Sequence, residues 1–296
     1  MAKITNPDPK IEKLYKDVPQ ESLRRLQAFR EHYPYQTLQI KGRPWRFIDT
    51  REGETALFIP AGGTTVAEVS FMSLVYFAQE WRVIAPDYPP VDSLKELFTG
   101  FIEMLNHLGV GQFYAMGGSY GGWMVQSLVR HYPERVRKMV ITAIGPPDPE
   151  NGQQIAKMMR WLPIMPTFLL RALINRSFSR LMSDRTGDQN VSMLWALLRE
   201  VMYYRVKRED LIAALQRLVD QTQNYTFSPD DLRDWTGSML VLFGSEDPAT
   251  PPEKREAMRA LYPRAELKVF EGGEHGIAFT HQVEYYAAID EFLAKE

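Results

Sequence analysis

The chain has 296 residues, 45% of them hydrophobic and 24% charged, the balance of a globular protein with one α/β domain or two smaller ones. Thirty-five Lys and Arg against 37 Asp and Glu leave a net charge of −2, which argues against a nucleic-acid binder with a dominant basic field. Cysteine is absent, which excludes disulfides, a thiol nucleophile, an iron–sulfur cluster and Cys-ligated zinc. Residues 1–16 mix charge and proline without the apolar run of a signal peptide. No stretch reaches the roughly 18 apolar residues of a membrane span. A cytoplasmic protein without stable membrane insertion is expected.

In chain order, a helix is predicted over 21–31, outside the sheet. Strands follow at 36–40, 45–49 and 56–59, then a helix over 66–79 and a strand at 82–85. A helix over 93–108, a strand at 112–116, a helix over 120–131 and a strand at 139–144 continue the alternation. It stops at Pro146-Pro147-Asp148-Pro149, a rigid turn-rich junction. Helical patterns then run over 155–161, 167–174, 193–204 and 209–221. Strands at 239–243 and 267–270 and helices over 252–261 and 282–295 complete the chain. This order predicts an α/β fold with a mostly parallel, doubly wound eight-stranded sheet. Residues 1–146 and 236–296 would form its core, and 147–235 a helical cap inserted after the sixth strand.

The chemistry is concentrated after the strand at 112–116, where Gly117, Ser119 and Gly121 form Gly-x-Ser-x-Gly. Three fixed letters at ~7% each recur by chance in about one chain of this length in ten. Their position between a strand and a helix is what makes them informative, because a nucleophile elbow needs that turn. A serine hydroxyl is a poor nucleophile until a base takes its proton, so a His and an orienting acid are required. Asp247 lies just past the strand at 239–243, and Pro248 keeps it out of helical geometry. His275 lies in the Gly-rich loop past the strand at 267–270. Glu246 and Asp148 stand as alternative acids. His281, His32, His107 and His131 read as surface or helix-packing residues. Oxyanion donors are expected from the backbone N–H of Tyr120 and from the loop at 60–65, at Gly63 or its neighbour Gly62.

On these residues the sequence resembles the α/β-hydrolase superfamily, from about Thr37 onward. The carriers are the loop at 60–64, the elbow, Gly244-x-x-Asp247 and Gly273-Glu274-His275-Gly276. Within the superfamily it is most similar to the maspardin-like group. The stretches behind that match are 81–85 with Tyr88-Pro89, the turn at 161–166, and Leu261-Tyr262-Pro263-Arg264-Ala265. The resemblance implies an enzyme with no metal or organic cofactor, or a binding or adaptor protein that keeps the fold. Ser119 in place of the Asp of dehalogenases and epoxide hydrolases points away from both. Serine remains compatible with esterases, carbon–carbon hydrolases and cofactor-free lyases. Two positions depart from the commoner pattern: Ala61, where many members have His, and Pro89-Pro90, where a Gly-rich turn is usual.

Residues 151–206 hold six of the fourteen methionines (Met158, Met159, Met165, Met182, Met193 and Met202) among Trp161, Phe168, Phe178, Trp195, Tyr203 and Tyr204. Some of these side chains are expected to line a hydrophobic substrate site, and most to pack the cap onto the core. Eight Lys and Arg against three acids make this stretch about +5, read as an interspersed, mainly solvated face. The expected activity is hydrolysis of an ester or related acyl bond of a small hydrophobic substrate. Ser119 would attack, His275 move the proton, Asp247 orient the imidazole, and the Gly63 and Tyr120 amides hold the oxyanion.

Overall fold

The computed structural model describes residues 8–50, 55–63, 65–181 and 189–295. Met182, Asp184, Arg185 and Asp188, counted above with the helical stretch, lie outside them. Two N-terminal helices, α1 (Pro9–Leu14) and α2 (Gln20–His32), precede the sheet. Its strands are β1 (Gln36–Ile40), β2 (Arg43–Asp49), β3 (Ala56–Phe58), β4 (Arg82–Pro86), β5 (Phe113–Gly118), β6 (Val136–Thr142), β7 (Ser238–Gly244) and β8 (Glu266–Phe270). β1 and β2 form a hairpin through Lys41 and Gly42, both at positive φ, the conformation that a two-residue turn needs to match strand twist.

The order across the sheet is β1-β2-β4-β3-β5-β6-β7-β8, with β3 to β8 parallel and β2 antiparallel to β4. β3 thus has β4 on one side and β5 on the other. The chain reverses its winding there, so the loops leaving β3 and β5 share one crevice at the carboxyl edge. The central strands are covered on both faces, and period-two alternation divides their side chains. In β7, Leu240 and Leu242 join one core, while Met239, Val241 and Phe243 join the other. The first core holds α3 (Phe71–Phe77), the short α11 (Ile277–Thr280), α12 (Gln282–Ala294) and α2. The second holds α4 (Leu94–His107), α5 (Tyr120–His131) and α10 (Pro252–Leu261).

Between β6 and β7 the described chain is helical: α6 (Pro149–Met159), α7 (Thr167–Leu181), α8 (Gln189–Glu200) and α9 (Arg208–Asn224). α6 lies against α9 at Gly152, where a β-carbon would collide with the Thr222 hydroxyl at 1.7 Å. α9 reaches the core through Arg217, which is fully buried and donates to the Tyr120 hydroxyl and to the carbonyls of Pro89 and Val91. α8 reaches it through charge. Glu200 accepts from Arg30 of α2 and from the Tyr15 hydroxyl. Glu68 accepts from Arg30 and from Arg205. Burial alone would depress the Arg30 guanidinium, but Glu68 and Glu200 hold it above its ordinary range.

Several elements differ from the sequence expectation. The helix expected over 66–79 is a 3₁₀ turn, Ala67–Ser70, followed by the shorter α3. That over 193–204 is α8 plus a π-helical turn, Val201–Arg205. The sixth strand ends at Thr142, and Ala143 takes a positive φ of 52°, so Ala143 and Ile144 belong to the turn. Arg205 is not part of a solvated face; it pairs with buried Glu68.

Candidate active site

β5 runs into Gly117-Gly118, and the chain reverses within one residue to start α5. That residue is Ser119, at φ 51° and ψ −123°, a conformation costing a non-glycine residue about 1–3 kcal/mol. The surroundings hold it there. The Ser119 N–H donates to the Thr142 carbonyl at 2.9 Å. A β-carbon on Gly117 would lie 2.4 Å from the Gly121 carbonyl, and one on Gly121 would lie 2.6 Å from the Pro60 oxygen. The two glycines of the motif are therefore demanded by backbone packed on backbone.

The loop leaving β3 lies beside this elbow, close enough that a β-carbon on Gly62 would be 2.7 Å from the Gly118 oxygen. Gly63 follows at φ 64°. Both glycines line the cavity that contains Ser119. Tyr120 opens α5, which points its amide, at the positive end of the helix, toward the same turn. Its side chain is engaged elsewhere: the hydroxyl accepts from Arg217 Nε at 2.7 Å, and the ring sits edge-on to Tyr88.

Asp247 is carried by the loop after β7 and is 2% exposed. One carboxylate oxygen accepts from the Ala249 N–H at 2.8 Å and the other from the Thr250 hydroxyl at 2.9 Å. His275 Nδ1 lies 3.1 and 3.0 Å from the two oxygens. Burial pushes this carboxyl up, but the His275 hydrogen bond and charge, with the Ala249 and Thr250 donors, outweigh it and hold the pKa below its ordinary value. The loops of Asp247 and His275 also touch directly. The Glu246 N–H donates to the Gly273 carbonyl, and a β-carbon on Gly244 would lie 2.2 Å from that same oxygen.

With Nδ1 occupied by Asp247, Nε2 is the nitrogen left for chemistry. It is buried, makes no hydrogen bond, and belongs to a ring that lines the same cavity as Ser119. Ser119 and His275 thus line one cavity, with no hydrogen bond between them. The cavity, about 140 Å³, is mainly apolar, with Met72, Met116 and Phe279 from the core and Phe178, Leu194 and Leu198 from α7 and α8. Of the aromatics and methionines counted in residues 151–206, Phe178 is there. Met193 is buried in the core, and Trp161 and Phe168 are 64% and 73% exposed.

The alternative acids fall elsewhere. Glu246 is exposed, and Asp148 caps α6 by accepting from the Glu150 and Asn151 amides. His281 bonds Thr280 and the Glu271 carbonyl, and His131 bonds the Ser127 carbonyl. Thr250 and Arg217 were not singled out in the sequence. Thr250 carried a signal, a hydroxyl three residues past the acid; Arg217 carried none, being one basic residue in an amphipathic helix. Among the described residues, no group of three His, Asp or Glu could hold a metal ion, and no helix is long and apolar enough to cross a membrane.

A family model for the α/β-hydrolase fold matches residues 56–282. The chain belongs to that family. Within it, the sequence is 27% identical to Homo sapiens maspardin over 209 residues, 70% of this chain and 63% of maspardin. The match thus spans less than two-thirds of those relatives. It is also 27% identical to a 2-hydroxymuconate semialdehyde hydrolase of Pseudomonas putida, over 83% of this chain and 89% of that one. Among solved α/β-hydrolases, the enol-lactonase of Burkholderia xenovorans LB400 superposes with a TM-score of 0.70 at 15% identity, covering 88% of this chain and all of the other. At that identity the likeness is one of fold.

Proposed function

We propose that the protein is a serine hydrolase that cleaves an ester or related acyl bond of a small, largely hydrophobic substrate, with residues 147–235 as its cap. The observation that carries this reading is the Asp247–His275 pair, whose unpartnered Nε2 shares an apolar cavity with a serine at a strained strand-to-helix turn. In this reading Ser119 Oγ attacks the carbonyl as His275 Nε2 takes its proton. Asp247 fixes the tautomer and stabilises the imidazolium. The Gly63 and Tyr120 amides meet the developing oxyanion. His275 then protonates the leaving oxygen, and water releases the acyl group by the same steps. No metal or organic cofactor takes part.

A fluorophosphonate probe tests this directly. The wild type should be labelled and Ser119→Ala should not. A folded wild type that resists labelling and turns over no ester sinks the reading. It would favour the binding or adaptor role that the resemblance to the maspardin-like group implies.

A further inference from the structure

Gly63 stands between two voids. One is the cavity of Ser119 and His275. The other, also about 140 Å³, is lined by Leu211, Ala214, Leu215 and Leu218 of α9, by Ile174 of α7 and by Met202, together with Gly63 and Tyr120. Phe178, one turn after Ile174, stands over the partition: a β-carbon on Gly63 would lie 3.1 Å from its ring. The two voids therefore share Gly63, one of the expected oxyanion donors, and a molecule with two apolar arms can reach into each from a carbonyl held there.

Proton bookkeeping decides which arm goes where. As the Ser119 Oγ–carbon bond forms, the proton passes to His275 Nε2. As the bond from carbon to the leaving oxygen breaks, that proton must reach the leaving oxygen. The leaving arm therefore lies in the void lined by His275, and the acyl arm extends away from it. We infer that the chamber between α9 and the elbow is the acyl-chain site, and that the substrate is an acyl ester whose chain is uncharged and aliphatic. The chamber's described lining is Gly, Thr, Tyr, Ile, Met, Leu and Ala, with no ionised side chain, so a carboxylate on the chain would be buried without a partner. This assignment rests on the hydrolase reading above.

The test uses the full chain, p-nitrophenyl esters from acetate to octanoate, and acetates of alcohols of increasing size. Ala214→Leu fills the chamber and should lower the octanoate-to-acetate ratio of kcat/KM by about tenfold or more. Leu215→Ala enlarges it and should move the preference to longer chains; it carries the test if circular dichroism shows Ala214→Leu unfolded. Ala278→Leu, in the His275 void, should lower the ratio of large to small alcohols instead. Acyl ratios within about threefold of wild type in both α9 variants overturn the assignment, as does an Ala214→Leu effect confined to alcohol size. A wild type with no ester turnover and no probe labelling overturns the hydrolase reading and this assignment together. Turnover with unmoved ratios overturns only the assignment.

Discussion

The two sides of the cavity are held by different forces. On the core side, backbone meets backbone: Gly117 against Gly121, Gly121 against Pro60, and Gly244 against Gly273, at separations that leave no room for a β-carbon. On the insert side, side chains do the holding. Phe178, Leu194 and Leu198 close the cavity, while buried ion pairs fasten α8 and Arg205 to Glu68 and Arg30. Backbone contacts have no rotamers to adjust, whereas side-chain contacts can be repacked one residue at a time. The core side should therefore tolerate almost no change, and the insert side should accept changes that redirect specificity.

The largest expected effect lies on the core side. Ser119→Ala should remove about four to six orders of magnitude from kcat in steady-state assays. Asp247→Asn should cost about four orders, because His275 loses its orienting acceptor. The same variant has a pH signature. The folded-state pKa of Asp247 is depressed, so its carboxylate stabilises the wild type at neutral pH. That contribution fades as pH falls below about 4. Urea midpoints of wild type and Asp247→Asn should converge in acid; a constant gap would remove Asp247 as the source.

Glu68→Gln tests the joint between the two sides. It removes one of the two carboxylates that Arg30 and Arg205 share, leaving two guanidinium groups on Glu200 alone, and should destabilise by about 3–5 kcal/mol. Equal urea midpoints for variant and wild type would show that the ion pairs do not hold the insert. Gly121→Ala should cost about 1–3 kcal/mol through the clash with Pro60, together with most of the activity. Phe168→Ser, on the exposed face of α7, should stay within about 0.5 kcal/mol of wild type. A larger loss would mean that α7 packs against something beyond this chain.

The same contrast explains what was legible. α5 and α10 have the boundaries expected from sequence, because a Gly-Gly turn and a Pro pair mark their starts. Ser119, Asp247 and His275 could be named because each lies on a short loop just past a strand, where local residue types report position. The ion pairs could not. Glu68 and Arg205 are 137 residues apart, and neither has a local pattern that names its partner. A glutamate inside the apolar run Val66-Ala67-Glu68-Val69 was the one available sign. The 3₁₀ and π-helical turns were missed for a related reason: apolar spacing in so short a stretch does not separate them from α-helix.

The distance along the chain between β6 and β7 sets an order of events during synthesis. Ile141 pairs with Val241, so the sheet cannot be completed until the helices between them have left the ribosome, and domains tend to fold as units as they emerge. The elbow serine and the glycine loop are made in the first half of the chain, and the acid and the histidine in the last sixty residues. On the hydrolase reading, a nascent chain that ends anywhere in the insert holds Ser119 without His275, its proposed base. Such a chain should stay unreactive toward acyl donors and fluorophosphonates until β7 and β8 dock, which makes acylation a reporter of finished folding.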